Sequence, residues 1–532
     1  MLKVREIKIR YDLDTKDNLK KSILKKLRLA KDYPISFKII KKSIDARKKP
    51  DIYYVYEVLC TLDKKEEERL LKLNNKDIVL GTEIKYNFQP KGNEKLDKPI
   101  VVVGSGPAGL FASLNLVRHG YSVIVVERGC EIAKRVKIVE KFWQDNKLNP
   151  ECNIQFGEGG AGTFSDGKLN TLVNDKEGRY QYVMEIFASF GANEEITYLN
   201  KPHIGTDVLR EVIVKMRKEI ESLGGKFLFE TKLTDINVRE GHVESIVLND
   251  KEIMPCSALI LAVGHSARDT FYMLNDKEIN MENKPFAVGL RIMHSQNLIA
   301  KNQYSLLDSR LPVASYKLTY KSSNGKGVYS FCMCPGGYVV NASSEANRLC
   351  INGMSYAKRD SGVANSALIV TVNETDYGVN LFDGVKFQRV LEEKAYKLGK
   401  GLIPLETYGD YKNNKEPKNL GGLEPKIKGK YNLANLNELL PDNLNIALKE
   451  GIENFDKKIK DFADDNTLLC GIEARTSSPI RIIRNEEYEA NIEGIYPSGE
   501  GAGYAGGITS AAIDGLKVSE AIMNKYSPNT EK

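Results

Sequence analysis

Residues 2–10 (LKVREIKIR) alternate apolar and polar side chains in the period of a half-buried strand. Residues 15–29 then change to helical spacing, with Leu19, Ile23, Leu24 and Leu27 on one face behind a Thr15 cap. Two further strands are predicted in ISFKIIKKSI and IYYVYEVLCTL, a charged helix near 63–73, and a last strand over 78–88 (IVLGTEIKYNF). The order is β-α-β-β-α-β, the ferredoxin-like α+β pattern, closed by the polar stretch QPKGNEKLDKP.

Beyond that stretch the pattern changes. PIVVVGSGPAGLFASLNLVRHGYSVIVVERG reads as a buried strand, a glycine turn, a helix and a second buried strand. Residues 207–223 form an amphipathic helix, followed by strand-like KFLFE, LTDINV and VESIVL and the apolar run ALILAVG. From about 270 to 470 strands (PFAVGLRIM, KGVYSFCMC, YVVNA, ALIVTV) mix with polar helices near 387–398 and 446–460. Glycine-rich sequence returns at 491–523.

The glycines at 104, 106 and 109 give GxGxxG between a predicted strand and a predicted helix, the context that makes the motif a dinucleotide-binding turn. Pro107 and Ala108 open the helix, whose N-terminus suits a pyrophosphate. Glu127, followed by Arg128, ends the second strand where a carboxylate accepts from ribose hydroxyls. In PSGEGAGYAGGITSAAIDG, Gly499 and Glu500 follow a strand, and Gly506, Gly507 and Ile508 open a helix. This arrangement seats a ribityl chain and aims a helix N-terminus at a flavin, so FAD is the expected cofactor. GEGGAGTFSDGKLNT, with Gly159, Gly160, Gly162, Thr163 and Lys168, is expected to wrap it, as is Gly264 at the end of ALILAVG.

Composition narrows the class. With 532 residues and 42% apolar side chains, two or three globular cores are expected. There is no run of about 18 apolar residues and no signal-like N-terminus, so the expectation is a cytoplasmic protein without a membrane partner. The eight cysteines show neither CxxC nor zinc-type spacing, and no metal site is expected. Charge is uneven. The first 98 residues hold 26 Lys and Arg against 16 Asp and Glu, a surplus of ten, whereas the whole chain carries +7. Residues 16–49, with 13 basic and three acidic side chains, offer a patch for RNA or, on the bland reading, a solvated helix face.

A flavin does the redox chemistry itself, so few side chains need be catalytic. Cys332 and Cys334 in FCMCPGG are candidates for electron relay, or else two buried side chains on one strand face. His265 is a candidate proton donor at a strand end, and Arg475 in EARTSSPIR a candidate anion-binding fork. Arg268, Arg291 and His294 are further candidates, each in a strand or turn where a surface ion pair explains it equally well.

Taken together, VVGSGPAGLFASL, FGEGGAGTFSDGKL, LAVGHSARDT, FCMCPGG, EARTSSPIRI and SGEGAGYAGGITSAAIDG resemble the uncharacterised bacterial FAD-dependent dehydrogenase family, within the glutathione-reductase-like FAD-binding superfamily. The likeness spans roughly 98–525 and implies a two-domain flavoprotein with FAD held by its first and last glycine-rich segments. Glu500 departs from it, standing where Asp is commoner in the superfamily.

The expected class is thus α/β: a Rossmann-like FAD-binding domain (96–270 and 471–532), an inserted mixed α/β substrate domain (271–470) and the basic ferredoxin-like domain (1–95). The expected activity is an FAD-dependent oxidoreductase acting on a small-molecule substrate. Reducing equivalents come from NAD(P)H as a transient donor, from an electron-donor protein or from the substrate. The alternatives are a flavoenzyme acting on RNA and a non-catalytic flavin redox sensor.

Overall fold

The alternation in the first strand has a direct structural result. In the computed structural model, which describes residues 1–529, Leu2, Val4, Ile7 and Ile9 of the strand Leu2–Arg10 pack with Leu19, Ile23 and Leu27 of the helix Lys16–Leu27. The buried positions switch from even to odd because the pairing register shifts between Val4 and Ile7. Thr15 caps the helix by accepting from the Asn18 backbone N–H at 3.2 Å. Leu2–Arg10, Ser36–Lys48, Asp51–Thr61 and Ile78–Leu80 form one antiparallel sheet in the spatial order second, third, first, fourth.

The last strand of this unit ends at Leu80, although alternation continues to 88. Beyond it Ile84 is exposed, while Tyr86 and Phe88 face helices instead of a neighbouring strand. Tyr86 donates to Glu520 at 2.8 Å, Phe88 packs against the core of the main body, and the backbone N–H of Gly92 donates to the Met523 carbonyl.

That body is built on a five-stranded parallel sheet in the order Ile495–Pro497, Ala258–Leu261, Ile100–Val103, Val123–Val126, Lys226–Leu228. Its three central strands are short and almost wholly apolar, as a sheet covered on both faces requires. The helices Pro107–Arg118, Thr206–Ser222 and Ile508–Lys525 cover one face. An antiparallel sheet of Leu233–Arg239, His242–Leu248 and Glu252–Pro255 covers the other. A Cβ on Gly515 would lie 2.2 Å from the Ala108 carbonyl oxygen, so the last helix can cross the first only at a glycine.

The chain leaves this body through Met281–Asn283 and returns through Ile480–Ile482, two segments that pair antiparallel. Between them lies a seven-stranded sheet whose centre is the long pair Phe286–Ser295 and Val363–Val372. Leu468–Glu473 pairs with Phe286–Ser295 on one side and Ile403–Thr407 on the other. The molecule is therefore mixed α/β, with parallel and antiparallel sheets. Among the described residues no helix is long and apolar enough to cross a membrane.

Candidate functional site

The strand Ile100–Val103 ends at Gly104, where φ is +103° and a Cβ would lie 2.2 Å from the Ala262 carbonyl oxygen. Only glycine fits that turn. At Gly109 a Cβ would approach the Gly104 oxygen to 1.9 Å, so the helix Pro107–Arg118 rests directly on the turn. Gly106 differs: a Cβ there would meet only the Gly160 Cα, at 3.9 Å. The space beside it is part of a cavity of about 370 Å³, and the uncapped first turn of the helix opens toward it.

Distant parts of the chain share this cavity. Gly104, Gly106, Pro107, Ala108, Glu127 and Arg128 come from the first strand–helix–strand unit, and Gly160, Gly162 and Lys168 from the glycine loop. Gly264 and His265 follow the strand Ala258–Leu261, while Glu500, Gly506, Gly507 and Ile508 lead into the last helix. Cys332 and Arg475 reach it from the seven-stranded region. Gly109, Gly159, Thr163, Gly499 and Cys334 lie behind the wall. Gly159 abuts Thr163 and Ile213, Gly499 abuts Ala108, and the Thr163 hydroxyl donates to the Glu158 carbonyl.

Glu127 is buried and ties two turns together. One carboxylate oxygen accepts from the Ser105 N–H and hydroxyl at 3.0 and 2.7 Å, the other from the Gly129 and Gly157 N–H groups, both at 2.9 Å. These four bonds occupy both oxygens, so its first structural task is to hold the turn at Gly104–Gly106 against the glycine loop. Arg128 forms a bidentate pair with Asp269 and a further bond to Glu151, and lies over the Phe156 ring.

The glycine loop has an organiser that the sequence reading missed. Arg135, fully buried, donates to the carbonyls of Asn153, Ile154, Gly157, Glu158 and Gly160. Burial lowers its pKa to about 10. Its only signal in the sequence is a charged residue on the apolar side of Ile132–Asp145.

At the other end of the cavity His265 Nδ1 lies 3.1 Å from Glu500 Oε1, and His265 Nε2 is buried without a partner. Gly264, Gly506 and Gly507 have no atom within 4 Å of an added Cβ. Glycines that leave room, two helix N-termini and an unpartnered imidazole nitrogen fit a long anionic dinucleotide bearing a polar ring, the shape and chemistry of FAD.

The wall from the seven-stranded region is charged and tightly paired. Arg475 makes two 2.7 Å bonds to Glu392 and donates to Ser266 at 3.2 Å and Ser344 at 2.5 Å, so its fork is already engaged. Arg268 binds the same carboxylate. Arg291 forms a bidentate pair with Glu473, both bonds at 2.9 Å. Arg268 and Arg291 are 1% and 0% exposed, and His294 is buried with Nε2 at 2.9 Å from the Phe462 carbonyl. The surface ion pairs that would equally explain Arg268, Arg291 and His294 are thus corrected to interior contacts. The cause is the seven-stranded sheet and its helices, which close over positions that read as strand and turn. Glu473 and Asn352, not singled out in the sequence, also face the cavity.

Cys332 sits on this wall at φ +42°, where the pairing of Gly327–Cys334 with Val363–Val372 shifts register. The alternation that would place Cys332 and Cys334 identically on one strand face is broken there.

A second, wider cavity of about 1110 Å³ shares Asn170, Gly506 and Gly507 with the first. Lys41 of the N-terminal sheet, Lys284 and Lys317 line it, and the Lys42 N–H donates to the Tyr198 carbonyl nearby. The one carboxylate among its described lining residues, Asp175, is taken up by the Tyr180 N–H at 2.8 Å and by Arg179. Within the basic stretch 16–49, Lys26, Lys38, Lys41, Lys42 and Arg47 pair with acidic residues of the same unit, while Lys16, Lys20, Lys21 and Lys25 lie exposed.

Comparison with known proteins gives the following matches. Residues 97–137 match an FAD binding domain, residues 285–476 a family described as FAD-dependent protein, C-terminal domain-like, and residues 1–61 a domain of unknown function. The chain is 48% identical over 534 residues to a Clostridium beijerinckii protein described as uncharacterized, covering 99% of each. Among solved structures it is similar to L-amino acid deaminase from Proteus vulgaris, at 11% identity and a TM-score of 0.35 over 85% of this chain and 94% of that one. L-proline dehydrogenase from P. horikoshii is similar at 12% identity and a TM-score of 0.34, over 82% and 94%.

Proposed function

Because the chain belongs to the same family as the Clostridium beijerinckii protein and carries FAD-binding and FAD-dependent segments, we propose that it is an FAD-dependent oxidoreductase acting on a small anionic molecule. The observation that carries this reading is the cavity in which Gly106, Gly264, Gly506 and Gly507 all leave room for a ligand while their neighbours are close-packed.

In this reading the parallel-sheet body, of the glutathione-reductase-like kind, holds FAD. The helix starting at Pro107 and the turn Gly104–Gly106 receive the pyrophosphate, with Glu127 keeping that turn and the glycine loop in register. The helix Ile508–Lys525 starts at the cavity, where its N-terminus would favour the negative charge that a flavin gains on reduction. Bound FAD supplies two-electron chemistry. The chain's own part is to orient it and to manage a proton. Glu500 accepts from Nδ1–H of His265, which leaves Nε2 as the free proton acceptor.

The wider cavity is the substrate's approach, bounded on one side by the ferredoxin-like unit. Lys284 and Lys317, with no carboxylate within ion-pair distance among the described residues, select an anion there. The buried charges around Arg291 and Arg475 hold the substrate side of the cavity rigid. NAD(P)H or a protein donor exchanges electrons at the same opening.

The test is a visible spectrum of the purified protein followed by anaerobic titration with NADPH and NADH. A flavin band that bleaches near stoichiometry identifies a nicotinamide-driven reductase. A band that persists directs the search to oxidisable anions, and a protein that neither carries nor takes up FAD overturns the reading.

A further inference from the structure

One cysteine lines the cavity, and its setting differs from that of the others. Cys60, Cys130, Cys152, Cys256, Cys350 and Cys470 are all buried thiols, whereas Cys332 is partly open and lines the cavity wall. Its backbone takes up φ +42°, a left-handed conformation rare outside glycine, asparagine and aspartate. Such residues persist where surrounding contacts hold them. Here two cations do so. Lys168 donates to the carbonyl of Met333, and Arg291 donates to the carbonyl of Cys332 at 3.2 Å.

Cys334 lies directly behind, wholly buried, its thiol 3.2 Å from the Cys332 carbonyl oxygen. A Cβ on Gly353 would come within 2.7 Å of Cys334 Sγ and 2.1 Å of the Arg291 guanidinium, so the thiol is packed in place by a glycine. Chain geometry keeps Cα atoms two residues apart at roughly 5–7 Å, inside the range of a disulfide. In a regular strand alternate side chains stand parallel, with their Cα atoms near the far end of that range; the register shift between Phe331 and Cys334 and the left-handed φ of Cys332 break that regular spacing. Hydrogen bonding from Cys334 holds the Cys332 thiol well below its ordinary pKa, assisted by Lys168 and Arg291, while Cys334 is pushed up by the same contact and by burial.

We propose that Cys332 and Cys334 form a dithiol–disulfide couple that exchanges two electrons with the flavin, Cys332 as the cavity-facing thiolate and Cys334 as the buried thiol. The inference rests on the flavoprotein reading above. In the oxidising direction one S–H bond, that of Cys334, breaks and one S–S bond forms. The sulfur pair loses two electrons, and these pass with the single proton to oxidised FAD. Charge is conserved, since the thiolate's negative charge ends on the reduced flavin. In the reverse direction a reduced flavin opens the bridge, and Cys332 presents a reducing thiolate to whatever enters the cavity.

The experiment is an anaerobic dithionite titration of the oxidised holoenzyme, with thiol mapping of the same samples. The wild type is expected to consume four electrons per flavin, two for the ring and two for the bridge, and the C332S and C334S variants two. Alkylation and mass spectrometry of air-oxidised wild type should find the peptide carrying both cysteines unalkylated and two hydrogens lighter. Thiol mapping needs no variant, so a folding defect in either serine substitution leaves the question decidable. Consumption of two electrons by the wild type, with both cysteines alkylated and a normal flavin band, overturns the couple and leaves the flavoprotein reading intact. Absence of any flavin band overturns both.

Discussion

His265 Nδ1 and Glu500 Oε1 stand 3.1 Å apart, joining the end of a central parallel strand to the loop that opens the last helix. Each side chain holds the other, and both face the cavity. Glu500→Ala is expected to weaken FAD retention by roughly ten- to a hundredfold, the scale of one lost charge-assisted hydrogen bond. His265→Ala should weaken it less and instead slow flavin reduction. Apoprotein titration with FAD measures the first effect and stopped-flow absorbance the second. Equal retention in Glu500→Ala and wild type would remove Glu500 from the site.

Gly106 and Gly109 belong to one motif but face opposite directions. Gly106→Val puts its side chain into open cavity, so the protein is expected to fold normally and purify colourless. Gly109→Val drives a side chain into the Gly104 carbonyl and is expected to cost about 3 kcal/mol or more in stability. Urea unfolding of both variants, read beside their visible spectra, separates the two roles. A yellow Gly106→Val protein would mean that the pyrophosphate lies elsewhere.

Arg135 spans five carbonyls with one planar fork. Lysine offers three donors at one point and cannot reach them all. Arg135→Lys is expected to lose about 2–4 kcal/mol and to loosen the loop 153–160, raising its amide exchange while the exchange of Phe286–Ser295 stays unchanged. Uniform acceleration throughout the chain would instead indicate general destabilisation.

Glu406 is buried in the seven-stranded region, where burial above all, and the Asp410 and Glu416 carboxylates, raise its pKa from the ordinary 4.5 to about 8. Below pH 4.5 it is protonated in both folded and unfolded chains and costs nothing. As pH rises toward 8 the unfolded chain sheds a proton that the folded one keeps, so stability falls across this window and then levels off. Glu406→Gln retains an acceptor for the Leu436 N–H and removes the titration. The variant should match wild type near pH 5 and exceed it by on the order of 3 kcal/mol at pH 8.5. Thermal melts at the two pH values decide the matter, and identical pH profiles would show that Glu406 ionises freely.

The glycine motifs were legible because their spacing is a backbone requirement, and backbone requirements are local. The strand–helix–strand unit at 100–126 and the helix face of Leu19, Ile23, Leu24 and Leu27 follow from periodicity for the same reason. The extension of the fourth strand to 88 failed because alternation records only that every second side chain is covered. Tyr86 and Phe88 are covered by helices of the main body. Helix Ile132–Asp145 carries Ile132, Val139 and Phe142 at helical spacing, but the charged residues between them, Arg135 among them, blur its apolar face. Arg268, Arg291 and Arg475 could not be placed from sequence, because their partners Glu392 and Glu473 lie far along the chain. The distinct setting of Cys332 depends on a register shift, which no pattern of residue types encodes.

The crossing of Gly515 over Ala108 sets an order of events during synthesis. A ribosome completes the helix Pro107–Arg118 early, yet the edge strand Ile495–Pro497 and the helix Ile508–Lys525 that cover it emerge last. Until then that helix has Thr206–Ser222 beside it but lacks its last covering helix, leaving the kind of apolar surface that calls on chaperones. A chain shortened before the final glycines is therefore expected neither to bury the face of Pro107–Arg118 that meets Gly515 nor to complete the cavity wall at Glu500, Gly506 and Gly507.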